Sequence, residues 1–213
     1  MTIVSVTAPA NGSGKTTAVA AMAAAFPGRW AAVKFTTVYK DGVHCPRSQG
    51  SCACRELKGA FTIVDDPRTL LAAGTDTGRL AGAGAVPVLW CLARPGAHAE
   101  AWRRLRSERL GPCAAILTEG NAIVREISPD LLVAVVSPAA PRERWKADSW
   151  DLIRRAGVVV VNSHGGDAAG LEGIVRDVAA ARGGLRPPVA DLTRPMTEWD
   201  GGRLARRLAA LLG

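Results

Sequence analysis

The sequence predicts a three-layer α/β fold in which helices cover both faces of a mostly parallel sheet of about seven strands. Short apolar segments alternate with Ala-rich or Arg-rich segments of helical periodicity, as happens when crossover helices join parallel strands. A glycine-containing loop separates the first apolar segment from the first helical one, and a later apolar segment ends in a carboxylate. With 213 residues and no linker, the chain 1–213 has the length of one domain.

Hydrophobic periodicity and turn residues predict the order of the elements. The predicted strands are 3–6, 30–36, 61–64, 86–92, 113–121, 130–137, 158–163 and 189–192. The predicted helices are 17–26, 74–85, 97–110, 145–156, 170–182 and 203–212. The fully apolar run at 131–136 is typical of a central strand that is buried on both faces.

Composition and charge indicate which classes of binding partner to expect. The formal net charge of +8 is compatible with an anionic partner, but the basic residues are spread over several predicted helices without an interleaved aromatic platform. A nucleic-acid partner is therefore disfavoured. No apolar run reaches the length of a membrane span, and no basic region precedes an apolar stretch at the N-terminus. We therefore expect a cytoplasmic protein without a membrane partner.

The loop between the first strand and the first helix has the composition of a phosphate-binding loop. Glycines let backbone N–H groups point at phosphate oxygens, and the following helix N-terminus adds positive potential. Lys15 is predicted to reach the β- and γ-phosphates, and Thr16 to ligate Mg²⁺. Pro9 stands where the strict motif begins with glycine. The predicted phosphate-binding residues are Asn11, Gly12, Ser13, Gly14, Lys15, Thr16 and Thr17.

Four other polar residues are candidates for the same site, because open parallel sheets bind ligands at their carboxyl edge. Lys34 is either a second phosphate contact or a lysine whose stem covers a strand end. Glu119 ends an apolar strand, where a carboxylate is costly without a partner, and is predicted to hold Mg²⁺ or orient a water. Asp76 is either a Mg²⁺ ligand or, like Thr75, an N-cap. Asn162 either contacts the nucleotide base or caps the following loop.

The segment at about 38–60 lacks apolar periodicity and holds three of the five cysteines, which indicates an insertion with a metal site. Cys45, Cys52 and Cys54, with His44 beside the first, supply soft ligands that suit Zn²⁺ or an Fe–S cluster. Their spacing matches neither a zinc knuckle nor a ferredoxin run. The fourth ligand is left open among His44, a distant thiolate and a partner chain. Redox thiols, or cysteines without a shared role, are the alternatives.

Three stretches resemble a class of P-loop NTPases that includes the signal-recognition GTPases, the nitrogenase iron protein, dethiobiotin synthetase and the accessory GTPase of molybdopterin-guanine dinucleotide synthesis. The stretches are the loop 11–17, the run 74–79 followed by 83–85, and the strand end 116–120. The resemblance implies the P-loop NTPase fold, Mg²⁺ and a nucleotide as ligands, and a homodimer with nucleotide at its interface.

The resemblance also implies roles for individual residues. Those around the nucleotide and Mg²⁺ would be Lys15, Thr16, Lys34, Asp76, Glu119 and Asn162. Asp65 and Asp66 compete with Asp76 for its role. Ser163 and His164 follow Asn162, so the Asn-Lys-x-Asp motif that selects guanine is absent from the sequence and the choice between ATP and GTP stays open.

The favoured hypothesis is a nucleotide hydrolase with Lys15, Asp76 and Glu119 as its catalytic residues, coupled to a Cys-ligated site in metallocofactor assembly or metalloenzyme activation. A 4Fe–4S cluster is favoured over Zn²⁺, and a client metalloprotein or metallocofactor is the expected partner. One alternative is a small-molecule ligase or kinase similar to dethiobiotin synthetase, with a structural zinc. The other is a non-enzymatic metal-sensing module with a relict loop.

Overall fold

A sheet of eight strands forms the middle layer of the computed structural model, which describes residues 1–39 and 55–213. The strands are β1 Thr2–Thr7, β2 Ala31–Thr37, β3 Phe61–Val64, β4 Val88–Ala93, β5 Ala115–Glu119, β6 Leu131–Val136, β7 Val158–Asn162 and β8 Val189–Ala190. Their order across the sheet is β3-β4-β2-β5-β1-β6-β7-β8, and only β3 and β4 pair in antiparallel fashion. The predicted mostly parallel α/β fold is confirmed.

Helices cover both faces of this sheet, as the alternating pattern predicts. They are α1 Lys15–Ala25, α2 Pro67–Leu70, α3 Asp76–Gly82, α4 His98–Leu105, α5 Ser149–Arg155, α6 Ala168–Ala181 and α7 Arg203–Leu212. Helices α1, α3 and α7 pack on one face, where Leu80 and Leu208 are fully buried. Helices α4, α5 and α6 pack on the other face, where Trp102 and Ile153 are buried. No helix in the described parts of the chain is both long and apolar enough to cross a membrane.

Two helices begin two or more residues later than their periodicity predicts. The helix predicted from residue 74 begins at Asp76, because the hydroxyl oxygen of Thr75 accepts a hydrogen bond from the Gly78 N–H at 3.0 Å and caps the helix. The helix predicted from residue 145 begins at Ser149. Trp145 stays extended because its Nε1–H donates to the carbonyl oxygen of Ala140 at 3.1 Å.

The sheet order brings three strand ends together at the carboxyl edge. Strand β5 lies between β1 and β2, and Glu119 is opposite both Val6 of β1 and Lys34 of β2. The Gly120 N–H donates to the carbonyl oxygen of Val6 at 3.2 Å, which continues the ladder past the end of β5. The loop after β1 therefore starts beside the Glu119 carboxylate.

The antiparallel edge strand has a consequence for the predicted insertion. Thr36 of β2 and Thr62 of β3 are both opposite Leu92 of β4. Because β3 runs against β4, the chain leaves β2 and enters β3 at the same edge of the sheet. The segment at about 38–60 therefore begins and ends at the edge that carries Lys34 and Glu119.

Two glycines should respond in opposite ways to alanine, although both have open space where a Cβ would lie. Gly173 lies within α6, so Gly173→Ala is expected to stabilise the protein by about 0.5–1 kcal/mol by restricting the unfolded chain. Gly183 has φ +66° after α6, so Gly183→Ala is expected to destabilise it by about 1 kcal/mol. Urea denaturation of both variants gives the two signs, and equal effects would contradict this backbone explanation.

Candidate functional site

The loop between β1 and α1 requires glycine at its last position. Gly14 has φ +103° immediately before α1, a left-handed conformation that disfavours side chains. A Cβ atom there would lie 2.9 Å from Nδ2 of Asn162, so alanine does not fit. The Ser13 hydroxyl closes the loop by donating to the carbonyl oxygen of Ala10 at 3.0 Å. The chain thus forms a tight loop even though Pro9 replaces the first glycine of the strict motif.

Lys15 is partly buried beside this loop. Its Nζ atom donates to the carbonyl oxygen of Ala10 at 3.3 Å. Burial lowers the pKa of Lys15 to about 8; the Glu119 carboxylate raises it, while the charges of Lys146 and Lys34 lower it further. The Lys15 ammonium group is therefore only partly neutralised by its surroundings, and an anionic ligand would supply the missing negative charge.

Thr16, Lys34 and two carboxylates meet beside the loop. The Thr16 hydroxyl donates to Oε1 of Glu119 at 3.0 Å, and Nζ of Lys34 lies 3.6 Å from the same oxygen. Lys34 also forms an ion pair with Asp76 at the start of α3. Glu119 is only 4% exposed, and its Oε2 atom is buried without a hydrogen-bond partner among the described residues. Such an oxygen is costly unless a ligand satisfies it.

Asp76 is held in this cluster as an anion. Burial acts to raise the pKa of Asp76, but the hydrogen bond and charge of Lys34 outweigh burial and lower it below the ordinary value, with a smaller contribution from the nearby Thr16 hydroxyl. Thr75 is the N-cap of α3, so the helix does not need the Asp76 side chain for capping.

Asp65 and Asp66, the two alternative candidates for the predicted role of Asp76, have other partners. Asp66 is the N-cap of α2 and accepts from the Thr69 N–H at 3.0 Å. Asp65 pairs with Arg109 at 3.0 Å. Neither carboxylate joins the Lys34 and Glu119 cluster, which leaves Asp76 as the acid of this segment at the loop.

Asn162 supports the loop from the end of β7. Its Nδ2 atom donates to the carbonyl oxygen of Ser13 at 3.4 Å, and its Oδ1 atom accepts from the His164 N–H at 3.2 Å. The side chain is buried, and it caps the following loop as one of its two predicted roles requires. Contact with the nucleotide base stays a prediction.

Two residues that the sequence reasoning missed contact the loop through their side chains. Asn121 accepts from the Ala8 N–H at 3.2 Å and donates to the Ala8 carbonyl oxygen at 2.8 Å. Arg79 of α3 donates to the Thr17 hydroxyl at 3.0 Å, so α3 is joined to α1 beyond its contact through Asp76. The sequence signal for Asn121 is its position just after a strand end; Arg79 lies in the resembling run 74–79, but no role was assigned to it.

A third missed residue contacts the loop through its backbone. The Lys146 N–H donates to the carbonyl oxygen of Pro9 at 3.0 Å, and the hydroxyl of the buried Ser149 lies 3.4 Å from the same oxygen. The two ends of the loop are thus held by different segments, since Asn162 bonds to Ser13 at the other end.

The oxygen donors of the cluster fit Mg²⁺. Thr16, Asp76 and Glu119 offer a hydroxyl and carboxylates, and Mg²⁺ in nucleotide sites takes few protein oxygens because phosphate and water supply the rest. The buried Oε2 atom of Glu119 is the orphaned group that a cation would satisfy. Within residues 1–39 and 55–213 no three His, Cys, Asp or Glu side chains group to hold a metal by themselves.

The predicted soft metal ligands lie outside the described residues; they are His44, Cys45, Cys52 and Cys54. The metal or cluster site therefore stays a prediction. The described cysteines, Cys91 and Cys113, are free thiols. Burial raises the pKa of Cys91 to about 12, so this thiol is protonated and unreactive at neutral pH.

Comparison with known proteins identifies the fold. No protein-family model matches the sequence, and no curated protein matches it significantly. The hydrogenase maturation factor HypB from Archaeoglobus fulgidus aligns with 15% identity over 100% of this chain and 91% of that chain, with a TM-score of 0.54. The MinC:MinD cell division protein complex from Aquifex aeolicus aligns with 15% identity over 99% of this chain and 96% of that chain, with a TM-score of 0.45. With the loop between β1 and α1, the likeness to HypB shows that this chain has the P-loop NTPase fold.

The two lysines of the site should have opposite effects on the stability of the ligand-free protein. Lys15→Met is expected to raise the free energy of unfolding by about 1–3 kcal/mol at pH 7, because it removes an ammonium group that burial disfavours. Lys34→Met is expected to lower it by about 1–3 kcal/mol, because it removes the ion-pair partner that Asp76 and Glu119 share. Urea denaturation of both variants measures these changes.

The pH dependence provides the control for Lys15. Its folded-state pKa of about 8 lies below the ordinary 10.5, so between these values the unfolded chain binds more protons and wild-type stability rises with pH. The advantage of Lys15→Met should be largest below pH 8 and shrink towards pH 10.5. An advantage that stays constant across this range would contradict the burial of a charged Lys15.

Proposed function

We propose that this protein is a Mg²⁺-dependent nucleoside triphosphatase that uses ATP or GTP. The observation that carries the proposal is the buried Glu119 carboxylate beside the loop, with one oxygen bonded to Thr16 and the other without a partner in the described structure. Packing does not account for an acid in this position, because burying it is costly. The fold by itself is compatible with many activities, so the site carries the argument.

Phosphate binding is assigned to the loop and to Lys15. In the ligand-free protein the Lys15 ammonium bonds to the Ala10 carbonyl oxygen, and burial lowers its pKa. Phosphate oxygens would replace the carbonyl oxygen as the acceptor of the Lys15 hydrogen bond. Because phosphate is negatively charged and the carbonyl is not, it would stabilise the charged form of Lys15, which burial disfavours. Lys15 would thereby bind the β- and γ-phosphates more strongly than it binds the loop.

The carboxylate cluster is assigned to the chemical step. When bound, Mg²⁺ would neutralise charge on the phosphate oxygens, and Thr16, Asp76 and Glu119 are the residues that would hold it. Glu119 would also orient the attacking water. The water oxygen bonds to the γ-phosphorus, the bond to the bridging oxygen breaks, and the proton leaves with phosphate or solvent. Lys34 would fix the positions of both carboxylates through its ion pairs, and its charge helps to lower the pKa of Asp76.

The proposal extends to the cysteine segment. Three cysteines and a histidine between His44 and Cys54 have the chemistry to hold a 4Fe–4S cluster or Zn²⁺. Strand β2 precedes this segment and strand β3 follows it. Both join the segment at the carboxyl edge of the sheet, where the proposed phosphate site lies. Nucleotide hydrolysis would change the state of the segment, in a homodimer or with a client metalloprotein, and so serve metallocofactor assembly or metalloenzyme activation.

Lys15→Ala is expected to weaken the binding of ATP or GTP by about 100-fold, because it removes charged hydrogen bonds to phosphate. Lys58→Ala removes the same charge from an exposed position and should bind nucleotide like the wild type. Calorimetric titrations with Mg²⁺ and each nucleotide give the dissociation constants. Unchanged affinity in Lys15→Ala would place the nucleotide elsewhere. Turnover that requires an added small-molecule acceptor would favour the ligase or kinase alternative.

Anaerobic purification followed by iron, zinc and sulfide analysis and an absorption spectrum tests the cysteine segment. We expect bound metal in the wild type and its loss in the triple variant Cys45→Ser, Cys52→Ser, Cys54→Ser. Cys113→Ser is the matched control and should keep the metal. A colourless, metal-free wild type with reduced cysteines would overturn the metal proposal and leave the nucleotide proposal standing.

A further inference from the structure

The chain between β6 and α5 brings a lysine to the start of the phosphate-binding loop. The Lys146 N–H donates to the Pro9 carbonyl oxygen at 3.0 Å. The Ser149 hydroxyl donates to the Lys146 carbonyl oxygen at 2.6 Å and lies 3.4 Å from the Pro9 carbonyl oxygen. Lys146 is therefore fixed to the loop by its backbone, whatever its side chain does.

Contacts on both sides of Lys146 hold this segment in place. Before it, the Trp145 ring packs on Trp150 with 5.0 Å between centroids. After it, Asp148 forms an ion pair with Arg125, in the turn that follows β5. A side chain attached to such a supported backbone loses less entropy when it engages a ligand.

The Lys146 side chain carries a charge that the described structure does not neutralise. It is exposed, and no described carboxylate forms an ion pair with it. Burial is the main cause of the lowered pKa of Lys15, and the Lys146 charge adds to that effect, so the two ammonium groups act on each other. The Lys146 backbone is bonded to the loop that carries Lys15, and Lys15 reaches the β- and γ-phosphates in loops of this type, so the terminal phosphates would lie in the same positively charged region.

The charge balance of the site favours an anionic ligand with several negative groups. Cations outnumber carboxylates around the loop; the cations are Lys15, Lys34, Arg79 and Lys146, and the carboxylates are Asp76 and Glu119. A triphosphate with Mg²⁺ keeps a net negative charge, which this excess of cations matches.

We infer that Lys146 contacts the terminal phosphate of the bound nucleotide and stabilises the negative charge that accumulates there during phosphoryl transfer. This catalytic role rests on the proposed triphosphatase function. The competing explanation is that the residue serves only through its backbone bond to Pro9. Lys146→Ala separates the two, because alanine keeps the backbone N–H and removes the ammonium group.

The test compares Lys146→Ala with Arg144→Ala, which removes the same charge from an exposed position in the same segment. Dissociation constants for ATP, ADP, GTP and GDP are measured by calorimetry, and phosphate release is measured at saturating triphosphate. Lys146→Ala is expected to weaken triphosphate binding and to lower kcat by about tenfold each. Diphosphate binding, and all values for Arg144→Ala, should change by less than about twofold. Lys146→Arg should retain most of the triphosphate affinity.

Each outcome bears on a different claim. Equal behaviour of Lys146→Ala and Arg144→Ala, or an equal loss for diphosphate and triphosphate, would overturn the inference while nucleotide binding by the wild type stands. A wild type that binds none of the four nucleotides would overturn the proposed function and this inference with it. Thermal unfolding of all variants shows whether a loss of binding comes from a loss of folded protein.

Discussion

A buried carboxylate at the end of a central strand governs the arrangement of the site. Glu119 is almost without solvent contact, and an unpaired charge in that position would cost several kcal/mol, on the order of 3–5. Two partners offset this cost: Lys34 of the neighbouring strand β2 through an ion pair, and Thr16 of α1 through a hydrogen bond. These partners are distant in sequence and meet only because β5 lies between β1 and β2. The strand order, as much as the loop itself, therefore creates the site.

Residues that end strands could be located from the sequence. Glu119 ends β5, and Lys34 lies in the second half of β2; parallel strands direct both towards the carboxyl edge, but that the two are neighbours follows from the strand order. The choice between the two roles of Asp76 could not be made in the same way. Thr75 and Asp76 are adjacent and both cap helices well; the geometry at the start of α3 decides that Thr75 is the cap and Asp76 pairs with Lys34.

Contacts between the ends of distant segments could not be predicted, because they depend on the paths of loops rather than on periodicity. The start of the phosphate-binding loop shows the consequence. Pro9 replaces a glycine and has no N–H, so the loop cannot use that donor. Asn121 instead satisfies both backbone groups of Ala8, and Lys146 satisfies the Pro9 carbonyl oxygen. The start of the loop is thus held by residues from outside it.

The position of β2 limits how the proposed phosphate site and the cysteine segment could influence each other. β2 carries Lys34 and leads directly into the segment at about 38–60. It is paired with β4 from Ala32 to Thr37 and with β5 from Ala31 to Lys34, so sliding it would break ladders on both sides. A Mg²⁺-nucleotide would compete with Lys34 for the Asp76 and Glu119 carboxylates and change its partners without moving the strand. Coupling would then pass through side chains at the carboxyl edge, where the segment begins and ends.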